Sequence, residues 1–140
     1  MAITQAMCTS FKVEILNGIH AFGTTVARAD TTADTFYLAL YTDSASLDAS
    51  TVAYETGGET VGAGYTAGGQ ALSTVAPTSS GTVAYLDFAD ETWTTATITA
   101  RGAMIYNQTQ GNKAVAVLDF GGNKTSTAGD FTVVFPTADS

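Results

Sequence analysis

Nucleophilic catalysis needs a positioned base to take the proton from a Ser or Cys, and the single histidine of this 140-residue chain is His20. The single cysteine, Cys8, lies on the same expected helix. At about 1.5 Å of rise per residue the two would sit about 18 Å apart, too far for a dyad. One Cys and one His cannot furnish a tetrahedral zinc site either. His20 is therefore expected to be an ordinary, partly exposed residue. No catalytic residue, metal site or cofactor is assigned, and an enzyme is not expected.

The acidic side chains form weaker patterns. Asp87, Asp90 and Glu91 cluster where a strand is expected to end. A solvated turn is the plain reading, with a calcium site or a glycosidase-like carboxylate pair as lesser alternatives. The pairs Asp30/Asp34 and Asp43/Asp48 lack the alternating oxygens, Gly and terminal Glu of an EF-hand loop. The run Gly62-Ala63-Gly64-Tyr65-Thr66-Ala67-Gly68-Gly69 matches neither nucleotide-loop pattern, and no Lys follows it, so an interface loop is expected. Asn107-Gln108-Thr109 and Asn123-Lys124-Thr125 match the glycosylation sequon and are read as plain turn residues.

Tyr37, Tyr41, Tyr54, Tyr65, Tyr85, Trp93 and Tyr106 are types that strands favour, and most are expected in the core or as cross-strand partners. Trp93, set among Thr92, Thr94 and Thr95, is expected to be half exposed, where it could serve as a platform for a carbohydrate.

Two kinds of element must position these residues. Met7, Phe11, Ile15, Ile19 and Phe22 recur at spacings of four and three, which predicts a helix over residues 4–22, with Thr4 as N-cap and Gly23 as stop. Asn17-Gly18 interrupts it, and the helix is expected to kink or end there. From residue 34 the period changes to 2: Phe36, Leu38 and Leu40 alternate with Tyr37, Ala39 and Tyr41. Further strands are expected at about 69–75, 82–88, 92–99, 102–107, 113–120 and 130–135. Residues 43–68 read as a Gly-rich excursion with one extended piece near Val52-Ala53-Tyr54. Residues 83–88 and 115–120 echo each other, as two related hairpins or by convergence. The expected architecture is mainly β: one domain over 1–140, an antiparallel sandwich or jelly-roll-like fold over 34–140 with one N-terminal helix.

Thirteen acidic and five basic residues give a net charge of −8, which opposes binding to nucleic acid or to anionic membrane surfaces. Charged residues make up 13% of the chain, about half the usual share, which suits a surface packed against neighbours. No basic run precedes an apolar stretch at the start and no apolar run is long enough to span a bilayer, so neither a secretory signal nor a membrane span is expected.

Several segments together resemble small virion structural proteins of tailed bacteriophages. They are Met1-Ala2-Ile3-Thr4-Gln5-Ala6-Met7-Cys8-Thr9-Ser10-Phe11-Lys12, Thr35-Phe36-Tyr37-Leu38-Ala39-Leu40-Tyr41-Thr42, Gly62 to Leu72, Ala100-Arg101-Gly102-Ala103-Met104-Ile105-Tyr106-Asn107 and Phe135-Pro136-Thr137-Ala138-Asp139. The resemblance implies a capsid decoration or cement protein, made in the host cytoplasm and held on the capsid surface. Its partners would be the major capsid protein and further copies of itself. The alternative is a tail or fibre-associated module that binds a host-surface carbohydrate. The residues expected to meet a partner are Met7, Phe11, Ile15, Ile19 and Phe22 of the helix, together with Tyr65 and Trp93.

Overall fold

The computed structural model describes residues 2–16, 18–23 and 32–137; Asn17, Asp30 of the Asp30/Asp34 pair and residues 138–140 of the expected domain lie outside that range. In chain order the elements are β1 (Ala6–Met7), α1 (Thr9–Leu16), β2 (Phe36–Tyr41), β3 (Gln70–Ala71), β4 (Thr74–Ser80), β5 (Val83–Phe88), β6 (Glu91–Asn107) and β7 (Lys113–Val133). Five strands make one antiparallel sheet in the order β1-β7-β6-β2-β3, and β4 and β5 make a separate two-stranded ribbon. The class is the expected one: mainly β, antiparallel, with one short helix near the N-terminus among the described residues.

The sheet is built around β6 and β7, paired from Glu91↔Val133 to Asn107↔Lys113 with four shifts of register. Each was expected as two strands. Gly102 does not break β6, because it serves a close approach: a Cβ there would run into the Leu118 carbonyl oxygen and the Ile3 side chain. On β7, Gly121 and Gly122 fall where Asp119 pairs with Gly102 but Lys124 already pairs with Ala100, so the extra residues bulge outward and pairing resumes.

β2 packs on both faces. Phe36, Leu38 and Leu40 face one layer, where the Phe22 ring stacks on Phe36 at 4.4 Å and 8°. Tyr37, Ala39 and Tyr41 face the other, where residues of the 43–68 excursion lie: the Tyr41 hydroxyl donates to the Glu55 carbonyl (2.6 Å), and the Tyr54 ring stacks on Tyr106, the cross-strand partner of Tyr37. The excursion thus supplies the covering layer that a second large sheet would supply in a two-sheet sandwich.

The helix is shorter than its periodicity predicts. Residues before it are extended: Thr4 N–H donates to Leu47 O (2.8 Å), Ala6 and Met7 pair with Val117 and Ala116, and Cys8 N–H donates to Val115 O (3.0 Å). Those bonds hold the segment on the sheet edge, so α1 starts at Thr9 and Thr4 is not its cap. The stop is Gly18, not Gly23. Gly18 has φ of 68°, its N–H donates to Ile15 O (3.1 Å), and Ile19 N–H donates to Glu14 O (3.0 Å), the two bonds of a Schellman motif.

The expected apolar line therefore divides. Phe11 is buried against His20 and Phe22, whereas Met7 and Ile15 are exposed and Ile19 lies past the end of the helix. Truncating Phe11→Ala is expected to cost about 3–5 kcal/mol in urea unfolding. Leu16→Ala, on the same helix but outside the core, should change stability by no more than about 0.5 kcal/mol. Equal effects at the two positions would contradict this division.

Candidate interaction surfaces

The two residues with the most reactive side chains lie inside. Cys8 is fully buried, and burial, then the nearby Asp48 carboxylate, pushes its thiol above the ordinary value. His20 is buried rather than partly exposed, because the chain after Gly18 turns it under the end of the sheet. Its Nδ1 lies 2.9 Å from Asn107 Nδ2, which can only donate, so Nδ1 accepts and the ring proton sits on Nε2, directed to Glu14 Oε2 at 2.7 Å. The same Asn107 nitrogen donates to Asp34 Oδ2 (2.7 Å), which also takes the Ala21 N–H (2.9 Å), and Lys113 Nζ donates to Glu14 Oε1 (3.2 Å). Both ring nitrogens are thus engaged, and the arrangement ties α1 to β6 and β7. Burial raises the Glu14 pKa, but the hydrogen bonds from His20 and Lys113 outweigh it and hold the carboxyl below its ordinary value.

Trp93 is also interior, and Tyr65 is half-buried against the core. The Glu59 carboxylate accepts from the hydroxyls of Tyr54 and Tyr65 (both 2.7 Å) and from Gly68 N–H (2.6 Å), and the Tyr65 oxygen accepts from Leu40 N–H (3.0 Å). Burial, then Glu59, pushes Tyr54 and Tyr65 above the ordinary phenol range and Tyr106 up to about 12. Trp93 is 1% exposed rather than half exposed, since alternation along β6 turns it inward, between Tyr65 and Phe131. With its amide suitably oriented, Gln70 accepts from Trp93 Nε1 (2.8 Å) and donates to Glu91 (2.6 Å).

The glycine run lies flat on the sheet: a Cβ at Gly62 would strike the Thr97 carbonyl, and Gly69, at φ 76°, leaves no room for one beside the Leu38 carbonyl. Asp87 and Asp90 accept from the backbone N–H groups of Phe88 (2.8 Å) and Phe135 (2.9 Å), and among the described residues no three His, Cys, Asp or Glu side chains form a metal-holding group. The sequon asparagines are strand residues rather than turn residues, and Asn107 is fully buried.

Among the described residues, open apolar side chains gather at the following surfaces. Met7, Val13, Ile15 and Leu16 project from β1 and α1, Leu16 at 87% exposure. The ribbon of β4 and β5 exposes Val75, Val83 and Leu86. A groove of about 410 Å³ runs beside the outer part of β7, with Phe120 and Phe131 in its wall and Lys124 and Asp130 among its polar lining. Of the sequence-assigned residues Met7 and Ile15 are exposed, Ile19, Phe22 and Tyr65 are half-buried, and Phe11 and Trp93 are buried. A helix whose Phe11 faces inward must turn Val13 outward, and that spacing is the signal by which the outer face could have been found. No protein-family model, curated protein or solved structure matches this chain.

Gly69→Ala is expected to destabilise the domain by more than about 1 kcal/mol, since it combines a forbidden φ with a backbone collision. Thermal unfolding measures this; an unchanged midpoint would contradict the close approach. The two networks also set opposite pH limits. Glu14 titrates lower when folded, so its contribution is complete above the unfolded carboxylate value of about 4.3 and fades as pH falls through the folded value. Tyr106 titrates higher when folded, so its contribution is complete below pH of about 10 and is lost as pH rises toward about 12. Urea midpoints should fall at both ends, and Glu14→Gln should lower the neutral plateau by about 1–3 kcal/mol and flatten part of the acid limb. An unchanged acid limb would mean that this carboxylate is not held by His20 and Lys113.

Proposed function

We propose that this chain is a structural virion protein of a tailed bacteriophage, of the capsid decoration or cement type. It would sit on the outer capsid surface, bind the major capsid protein and copies of itself, and stabilise the head by protein–protein contacts alone. The observation that carries this is the outward face of α1, where Val13 and Leu16 are open at 56% and 87% and Ile15 adjoins them. That face is held firmly on the domain, because Phe11 is core and Glu14 bonds to both His20 and Lys113. Fully burying each such aliphatic side chain contributes about 1.5–3 kcal/mol, and a few preorganised anchors of this kind dominate interface energetics. The resemblance of the segments quoted above to phage virion proteins supports the same reading.

A tail or fibre-associated module that binds a host-surface carbohydrate is the second reading. Trp93 no longer supports it, being buried, but the groove beside β7 does: Phe120 is half-buried there, and Lys124, Asp130 and Thr132 offer hydrogen-bonding groups for a sugar.

The double variant Val13→Asp, Leu16→Asp is expected to keep its β-sheet circular dichroism yet fail to bind particles that lack the protein. Those particles should release DNA at lower temperature than complete ones, because a bound partner favours the assembled shell by mass action. Dye access to packaged DNA during heating reads the release. Normal binding by the double variant would remove the α1 face from the interface. Identical release curves with failed host attachment would favour the tail.

A further inference from the structure

The ribbon is exposed along most of β4 and at Val83, Ala84 and Leu86 of β5, and reaches the core at Phe88, whose ring lies 5.9 Å from Phe36 and from Phe135. Ser80 and Val83 close it across a two-residue turn that begins with Gly81 at φ 58°, as a type II′ turn requires. In such a hairpin the closing pair exchanges both backbone hydrogen bonds, and partners alternate from there. Val83 and Tyr85 therefore direct their N–H and C=O groups at β4, while Ala84 and Leu86 direct theirs outward. The base of the ribbon agrees with this parity: Ala89 N–H donates inward to Ser73 O (2.9 Å), and the outward N–H of Phe88 turns to its neighbour's Asp87 Oδ1 (2.8 Å).

The two outer edges differ. On β4 the register shifts between Val75 and Thr78, and Pro77, with no N–H to give, lies inside that irregularity. Bulges and prolines are what close an edge to further pairing. β5 carries neither, and no described segment pairs with its outer side. A two-stranded ribbon alone is marginal in water and gains from a third strand. Among residues 74–88 the one charged residue is Asp87, so two copies that each carry −8 can meet here with little repulsion.

We propose that β5 is a self-pairing edge. Two copies of the chain join β5 to β5 in antiparallel fashion about a two-fold axis and fuse their ribbons into one four-stranded sheet. The outward groups set the register: Ala84 of each copy faces Leu86 of the other, Tyr85 meets Tyr85 across the axis, and Asp87 faces Val83. Pairings that place Asp87 opposite Asp87 are disfavoured by like charge. The contact is isologous and closes at two, as a two-fold interface must. For its purpose this inference rests on the proposed structural role, and the experiment separates the two.

Sedimentation equilibrium of the full chain should show a dimer. Ala84→Pro removes an outward donor that the ribbon itself does not use, and Tyr85→Asp places two carboxylates at the axis; each should weaken association by about tenfold or more. Ser79→Pro, the matched change on the already closed β4 edge, should leave the dimer intact. Hydrogen exchange on the unaltered chain supplies a readout free of any folding defect, with the Ala84 and Leu86 amides protected at high concentration and released on dilution. A wild-type monomer at every concentration, or a dimer indifferent to Ala84→Pro and Tyr85→Asp, would overturn the proposal. So would protection of those amides that appears only on particles, which would assign the edge to the shell protein. A dimer that fails to decorate particles would leave the pairing standing and sink the decoration role.

Discussion

The antiparallel ladder between β6 and β7 is the interaction on which the rest of the molecule depends. β2 adds only to the Gly102–Asn107 end of β6 and β1 adds only to Ala116 and Val117 of β7, so those two place β1 and β2, and β3 follows through β2. Among the described residues, no third strand lies beside β6 at the opposite end, from Trp93 to Ala100. Residues 60–63 take that place: Thr60 Oγ1 donates to Thr99 O (2.7 Å) and Thr97 N–H donates to Ala63 O (2.8 Å). Because these partners are distant in sequence, the chain must close long loops before the core rewards it, which places this fold among the slower ones.

The Gly-rich excursion follows from the requirement that buried backbone polar groups find partners. Along the outer edge of β2, Phe36 O accepts from Leu72 N–H (2.7 Å), Leu40 O from Thr60 N–H (2.9 Å), and Thr42 N–H donates to Gly58 O (2.9 Å). Between these ordinary ladder bonds the Leu40 N–H is taken by a side chain, the Tyr65 hydroxyl. A hydroxyl has one proton to give, and Glu59, which can only accept when ionised, receives it, leaving the Tyr65 oxygen free for Leu40. The glycines are small because this loop lies against the strands themselves.

Where the pattern was local, the sequence was legible. The alternation over Phe36–Tyr41 is β2 residue for residue, and the strand expected at 82–88 is β5 within one residue. The helix was misread because Met7, Phe11, Ile15, Ile19 and Phe22 share a spacing but not an element. Phe22 reaches its stack on Phe36 from irregular chain, and Met7 belongs to a strand whose partners lie more than a hundred residues away. The clasp of Glu14, His20, Asp34 and Asn107 was illegible for the same reason, since nothing local announces that residues 87 apart will share a hydrogen bond. The echo between 83–88 and 115–120 shows the limit of pattern. One copy is the exposed ribbon and the other the partly buried middle of the sheet, so the alternation specified a strand and left its neighbours to the rest of the chain.

The acidic excess has a structural origin that composition alone conceals. Glu14, Asp34, Glu59, Asp87, Asp90, Asp119 and Asp130 each accept hydrogen bonds from backbone or side-chain donors that the ladders leave over. A bulged, loop-covered sheet has many such donors, and a carboxylate satisfies them better than a neutral acceptor does. Of these, Glu14 lies on α1 and Asp87 on β5, while Asp34, Glu59, Asp119 and Asp130 lie elsewhere in the chain than α1 and the β4–β5 ribbon. Those surfaces expose Val13, Leu16, Val75, Val83 and Leu86 and carry few charges, on a molecule whose net charge otherwise favours staying apart. Contact there would remove apolar surface from water while desolvating few carboxylates, Asp87 of β5 being one, whereas contact elsewhere would desolvate more of them. Under the proposed structural role, association would be steered to these faces by what the rest of the surface makes costly.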